Sequence, residues 1–425
     1  MTLSANTQTL LNRRAVLGAA YRLFYAEPLN LVRGQGVELF DGDGRRYLDA
    51  YNNVPVLGHA HPAVIEAFTR QASQINTHTR YLHDTILSYA ETLVATFPAP
   101  LRQAMFTCSG SEANDLALRI AMTATGGSGV IVTSNAYHGV TALLAGMSPS
   151  LGLGVAPAVR TVPPPDSYRT SGDVGAAFGQ AVAEAIADLQ REGIQPAALL
   201  VDTTFASDGI FVGPQGYLDQ AVAAIRAAGG LFIADEVQGG FGRSGQLWTF
   251  LRQPGLVPDM VTLGKPMGNG HPVGGVVTRP DLLDVFGQRS RYFNTFGGNT
   301  VSAAVGLAVL STIQQQDLPG HAASVGAELA EALNSLKDVS PLVADVRGVG
   351  FYYGVELVTD HQQKTPATAE AKAVVDALAQ AGVLVGVCGA ASNVLKIRPP
   401  LAFQSEHIDE LMQALRGVLS GMPGQ

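Results

Sequence analysis

The chain has 425 residues, enough for a large domain and a smaller one with its own core, and 47% of them are apolar against 15% charged. Its 27 basic and 35 acidic side chains give a formal net charge of −8 with no basic run, which argues against nucleic acid or an anionic membrane surface as a partner. Two distant cysteines, Cys108 and Cys388, form neither a disulfide framework nor a metal-ligand spacing and fit a reducing cytoplasm. So apolar a composition also implies surface hidden in a subunit interface, and a dimer is expected.

Arg13-Arg14 precedes the apolar run Ala15–Ala20, which ends at Tyr21-Arg22 with no small-residue cleavage site. No stretch approaches the ~18 apolar residues of a membrane span, so the run is read as an N-terminal helix. Residues 31 to 50 alternate as a hairpin, with Gly36–Phe40 and Arg45–Asp49 flanking the turn Asp41-Gly-Asp-Gly44. From about 75 to 310, short apolar runs such as Leu199–Val201 and Leu231–Ala234 alternate with Ala-rich helical stretches at Ala181–Gln190 and Gln220–Ala228. That pattern specifies an α/β unit with a mainly parallel sheet covered on both faces. Pro163-Pro-Pro165 and the segment to Gly175 read as a loop. Past residue 315 come a long helix, strands at Val343–Arg347, Gly350–Glu356 and Val394–Ile397, and a helix near 367 to 380, an α+β module. The expected division is 1–75 as part of a small domain, 76–315 as the large domain and 316–425 as the rest of the small one.

The chemistry concentrates in two places. Leu231-Phe-Ile-Ala-Asp-Glu-Val-Gln238 is an apolar strand delivering Asp235 at its carboxyl end, and Thr262-Leu-Gly-Lys-Pro-Met-Gly-Asn-Gly-His271 puts Lys265 on a Gly-rich loop. Such a pair suits the two ends of pyridoxal phosphate, the carboxylate facing a protonated pyridine nitrogen and the amine closing a Schiff base with the aldehyde. Small residues in Phe106-Thr-Cys-Ser-Gly-Ser-Glu-Ala-Asn114 precede the helical pattern Asp115–Ala121, so Gly110 and Ser111 form a candidate anion site at a helix N-terminus. Asn135-Ala-Tyr-His-Gly139 offers an aromatic able to stack on a ring, and Tyr292-Phe-Asn-Thr-Phe-Gly-Gly-Asn-Thr300 a hydroxyl beside glycines.

In this order, from about residue 25 to the C-terminus, the segments resemble the class III aminotransferases, the ornithine and ω-amino-acid branch of fold-type I pyridoxal phosphate enzymes. The resemblance implies Lys265 as the Schiff-base lysine, Asp235 as the pyridinium partner, Gln238 as donor to the ring hydroxyl and Tyr137 stacked on the ring. It implies Gly110 and Ser111 around the cofactor phosphate, with Thr295 reaching it from the neighbouring subunit of a homodimer. His138 and Glu236 would brace the pocket. The implied reaction is ping-pong transfer of an amino group from an amine or ω-amino acid to an oxo acid such as pyruvate or 2-oxoglutarate.

The chain departs from the ornithine-type pattern at two linked places. Asp202-Thr-Thr-Phe-Ala-Ser-Asp-Gly209 stands where those relatives have a Glu-Pro-Ile-Gln-Gly-Glu-like segment, so the gating glutamate falls on Ser207 and its arginine partner on Lys396, with Arg398 beside Pro399-Pro400. Lysine does not reproduce a bidentate carboxylate clamp. Asn76-Thr-His-Thr-Arg-Tyr-Leu-His-Asp84 and Asp345-Val-Arg-Gly-Val-Gly350 look most like the subgroup that includes ethanolamine-phosphate phospholyases, which makes phosphate elimination the rival reaction. Arg80, Lys396 and Arg398 are its candidate phosphate donors. Further pocket candidates are Tyr25, Asn53, Val54, Tyr81 and Phe205. A retired, non-catalytic relative would have lost Lys265 or Asp235, and both are present.

Overall fold

The structure is a computed structural model and describes residues 4–422. Its centre is a seven-stranded sheet ordered Gln103–Thr107, Gly274–Thr278, Met260–Leu263, Leu231–Asp235, Pro196–Asp202, Gly129–Thr133, Val159–Val162. Gly274–Thr278 runs antiparallel to both neighbours, while the pairings from Met260–Leu263 onward are parallel. The continuous apolar runs follow from burial on both faces. Leu199, Val201, Phe232 and Ala234 enter one core, while Ala198, Leu200 and Ile233, pointing the other way, enter a second. The helices Val174–Arg191 and Asp219–Ala227 supply the first core, and Gly110–Thr125 and Pro280–Arg289 the second.

The N-terminal hairpin is a three-stranded meander, Leu31–Gln35, Glu38–Asp41 and Arg46–Asp49. Val383–Leu384 joins it in parallel with Arg46–Asp49, so distant ends of the chain share one sheet. Val343–Val349, Tyr352–Asp360, Val394–Ile397 and Gly386–Cys388 form a third, antiparallel sheet. The helices expected past residue 315 and near 367 to 380 are Leu318–Asn334 and Thr368–Gln380.

One expectation fails at the N-terminus. The helix is Ala5–Arg13, ahead of the apolar run, and the run itself makes only the short 3₁₀ turn Arg14–Leu17 before Gly18 turns the chain at φ 72°. Ser4 caps the real helix by accepting the Thr7 N–H at 3.2 Å. Val16 and Leu17 are exposed and meet no core, so nothing in the protomer rewards extending the helix through them.

Candidate active site

Parallel pairing aligns three polar residues at the carboxyl edge of the sheet: Asp202 opposite Asp235, and Asp235 opposite Thr262. Open α/β sheets bind ligands outside this edge. Asp235 is buried and its charge is met by three donors. Asn114 Nδ2 donates to Oδ2 at 2.8 Å, His138 Nδ1 lies 2.7 Å from the same oxygen, and the Val237 N–H donates to Oδ1 at 3.0 Å. Asn114 is itself fixed, since it donates to His138 O at 2.9 Å and accepts from the Thr262 hydroxyl at 2.6 Å. Glu236, the next residue, faces away from the cleft and takes the Thr203 hydroxyl and the N–H groups of Thr249 and Phe250. Burial pushes its carboxyl up to about 7 against those donors.

Lys265 opens the turn Lys265–Gly268 and lines the same cleft as Gly110, Ser111, Asn114, Tyr137, His138, Gly139, Asp235, Val237 and Gln238. Its Nζ lies 5.9 Å from the Tyr137 ring centroid. Burial lowers the amine to about 8; Asp235 pulls it up, and Arg398 and Lys396 push it further down. A substantial share is therefore neutral and nucleophilic near physiological pH.

Ser109 caps the helix Gly110–Thr125, its hydroxyl accepting from Glu112 N and its carbonyl from Ala113 N. That leaves the N–H groups of Gly110 and Ser111, at the first helical positions, for an anion. Glycine is required around them. A Cβ on Gly110 would meet Val237 Cγ1 at 2.7 Å, and one on Gly139, at φ 140°, would meet Ser111 Oγ at 2.7 Å. Thr295 is exposed in its own protomer and outside this lining, but its loop is tied there: Asn294 Nδ2 donates to Glu112 Oε2 at 3.0 Å, and that carboxylate accepts the Cys108 N–H at 2.7 Å.

Beside the cleft lies a second polar cluster centred on Gln238. Its Oε1 accepts from Arg398 Nη1 at 2.7 Å, Tyr352 OH at 3.2 Å and Lys396 Nζ at 3.3 Å, while its Nε2 faces Asp202 Oδ2 at 3.4 Å. Asn53 Nδ2 donates to the Gln238 carbonyl at 3.1 Å. Lys396 and Arg398 are both buried. Burial and then Arg398 lower Lys396 to about 8, whereas burial and then Asp235 raise Asp202 above the ordinary carboxylate range.

The structure thus gathers Asp235, Lys265, Gly110, Ser111, Tyr137, His138 and Gln238 around one cleft and sets Asn53, Lys396 and Arg398 beside it. Tyr81 and Arg80 lie outside the cleft lining: Tyr81 stacks on His78 at the surface, and Arg80 sits 3.7 Å over Phe293, on the loop that carries Thr295. Phe205, a pocket candidate, is core instead, its positive φ of 48° turning the ring between Phe178 and Tyr217. Asn114, Tyr352 and Asp202 carry no role in the sequence, and contacts made across the sheets give them one.

The aminotransferase class-III family model matches residues 24–419. The chain belongs to the class-III aminotransferase family. It is 40% identical to an alanine–glyoxylate aminotransferase 2-like protein of Drosophila melanogaster over 98% of this chain and 88% of that one. It is 34% identical to an ethanolamine-phosphate phospho-lyase homologue of Caenorhabditis elegans over 98% and 94%. Among solved structures, a phospholyase from Arthrobacter in complex with phosphoethanolamine superposes with a TM-score of 0.94 at 42% identity, covering 97% of this chain and all of that one. The enzyme is a fold-type I protein and its cofactor is pyridoxal 5′-phosphate. Three features fit that group: a buried carboxylate with three donors on the cleft wall, a buried amine near 8, and a helix N-terminus whose walls leave no room for a Cβ. Among the described residues no helix is long and apolar enough to cross a membrane, and both cysteines are free.

Proposed function

We propose that this class-III enzyme eliminates phosphate from a phosphorylated amino alcohol of the phosphoethanolamine type. The observation carrying this reading is the convergence of Arg398 Nη1, Lys396 Nζ and Tyr352 OH on the single oxygen Gln238 Oε1. Gln238 Oε1 and the backbone oxygens of Ala206 and Tyr51 are uncharged partners for two buried cations, whereas a phosphate offers negative charge and several acceptors to the same donors. Likeness to a phospholyase crystallised with phosphoethanolamine supports it.

Asp235 would hold the pyridine nitrogen, Tyr137 the ring face, Gln238 the ring hydroxyl, and Gly110 and Ser111 the cofactor phosphate, with Thr295 of a neighbouring subunit. What pyridoxal phosphate supplies when bound is an electron sink at the carbon next to the substrate nitrogen. Lys265, largely unprotonated above pH 8, takes the proton from that carbon. Arg398 and Lys396 orient the phosphate and stabilise it as it leaves. The second reading is transamination between an amine or ω-amino acid and pyruvate or 2-oxoglutarate, favoured by the intact Lys265 and Asp235 pair and by the aminotransferase relative.

Holoenzyme given phosphoethanolamine without an oxo acid should turn over repeatedly, releasing phosphate and ammonia together. Formation of a new amino acid from ω-amino acids or diamines, dependent on added oxo acid and without phosphate release, would instead establish the transaminase. Silence in both assays would mean a retired relative. A homodimer and a small domain built from both chain ends complete the reading. Leu82 and Phe296, 96% and 69% exposed, support the first, and the sheet shared by Arg46–Asp49 and Val383–Leu384 the second.

A further inference from the structure

Resting on the phospholyase reading, we infer that Lys396 is the acid that protonates the departing phosphate, a role beyond its charge. Its Nζ is held on strand Val394–Ile397 between two uncharged oxygens, Ala206 O and Gln238 Oε1, each at 3.3 Å. Among the described residues no carboxylate forms an ion pair with it, so its proton is not committed to an anion of the protein. The charged and titratable groups acting on it are Arg398, Cys388, Tyr51, Asp202 and Lys265, and the Tyr352 ring centroid lies 5.7 Å from Nζ.

Elimination makes this proton necessary. A phosphate monoester dianion that loses its carbon without gaining a proton would depart as a fully ionised phosphate, a strong base and a poor leaving group. Three donors meet at Gln238 Oε1, and they differ as acids. Arginine offers a phosphate a fork of donors and is not a proton-transfer acid. Burial raises the Tyr352 phenol far above its ordinary range. Lys396, lowered to about 8, is charged at neutral pH and able to give its proton up.

The step balances. Lys265 takes the proton from the carbon bearing nitrogen, the neighbouring carbon–oxygen bond breaks with its electron pair on the phosphate oxygen, and Lys396 transfers a proton to that oxygen, releasing hydrogenphosphate. The unsaturated amine left behind takes up one water to give aldehyde and ammonia, and solvent takes the proton from Lys265 and returns one to Lys396. Nothing is oxidised or reduced overall.

The test compares phosphoethanolamine with 2-aminoethyl sulfate, whose leaving sulfate needs no proton, in wild-type holoenzyme and the variant Lys396→Arg. Arginine keeps the charge and cannot act as the acid. Phosphate release should fall about 10²–10⁴-fold, the range of general acid catalysis, and sulfate release far less, while inorganic phosphate still raises the variant's Tm. Equal losses on both esters, or undiminished phosphate release, would overturn the assignment. Should Lys396→Arg not fold, wild type alone decides: the solvent deuterium effect should be larger for phosphate release than for sulfate release, and equal effects count against Lys396. If wild type releases no phosphate, the phospholyase reading fails first and takes this inference with it, an outcome distinct from failure of Lys396 alone.

Discussion

Asn114→Ala is the sharpest probe of how Asp235 is held. The side chain makes three buried hydrogen bonds, to Asp235 Oδ2 at 2.8 Å, to His138 O at 2.9 Å and from Thr262 Oγ1 at 2.6 Å. A bond to a charged group contributes about 1.5–3 kcal/mol and a neutral one about 1, so the variant should lose about 4 kcal/mol of stability. Only the first bond bears on the cofactor. Without it Asp235 keeps two of its three donors and gains room to rotate, so pyridoxal phosphate affinity should fall about 10- to 100-fold, the equivalent of that single bond. Urea unfolding of the apoprotein and cofactor titration of the folded protein read the two effects separately. Asn114→Asp, equal in size but placing a second carboxylate against Asp235, should bind the cofactor more weakly than Asn114→Ala. Wild-type cofactor affinity in both variants would refute the reasoning and leave Asn114 a purely structural residue.

Other outcomes follow from single distances. Lys265→Ala should abolish borohydride-dependent fixation of the cofactor to the protein and lower turnover by at least about 10³-fold; fixation at another lysine, found by peptide mapping, would move the attachment site. Because burial lowers Lys265 to about 8 from 10.5 in the unfolded chain, the unfolded state binds more protons between those values. Apoprotein stability therefore rises with pH across that window, and below pH 8 the cost of burying the charge is present in full. Lys265→Met should reduce the rise without abolishing it, because Lys396, also lowered to about 8, contributes over the same window, and an unchanged slope would remove Lys265 as a source. Gly139→Ala forces a Cβ to 2.7 Å from Ser111 Oγ at a positive φ, and should weaken cofactor binding about tenfold or more while the far-UV spectrum stays unchanged. Sedimentation should give twice the 44.3 kDa chain mass, and a monomer would leave Thr295 without a site to complete.

What the sequence exposes and what it conceals divide along a physical line. Strand Leu231–Asp235 was legible because burial on both faces writes a continuous apolar run, and its terminal carboxylate is conspicuous for the same reason. Lys265 was legible through the glycines its turn needs. Neither reading requires knowledge of what lies across the sheet. Asn114, Asp202 and Tyr352 do require it. Asn114 matters because register sets Thr262 opposite Asp235, and Tyr352 because the third sheet pairs its strand with the one carrying Lys396. Phe205 misled for the complementary reason, since a backbone turn with positive φ decides which way its ring points and no periodicity records that.

The same line separates the cofactor from the reaction. Cofactor residues sit on local motifs, and so point to the family from sequence alone. The groups that would separate elimination from transamination, Lys396, Arg398, Tyr352 and Gln238, come from three remote segments and meet at one oxygen. Their number and charge, two buried cations and a phenol with no carboxylate bonded to them among the described residues, set the demand any substrate must meet. A carboxylate would bring one negative charge to that site and a phosphate monoester two, so under the proposed elimination both buried cations would be neutralised. Transaminase chemistry on an ω-amino acid would leave one of them uncompensated, and Lys396, lowered to about 8, is the one placed to shed its charge instead.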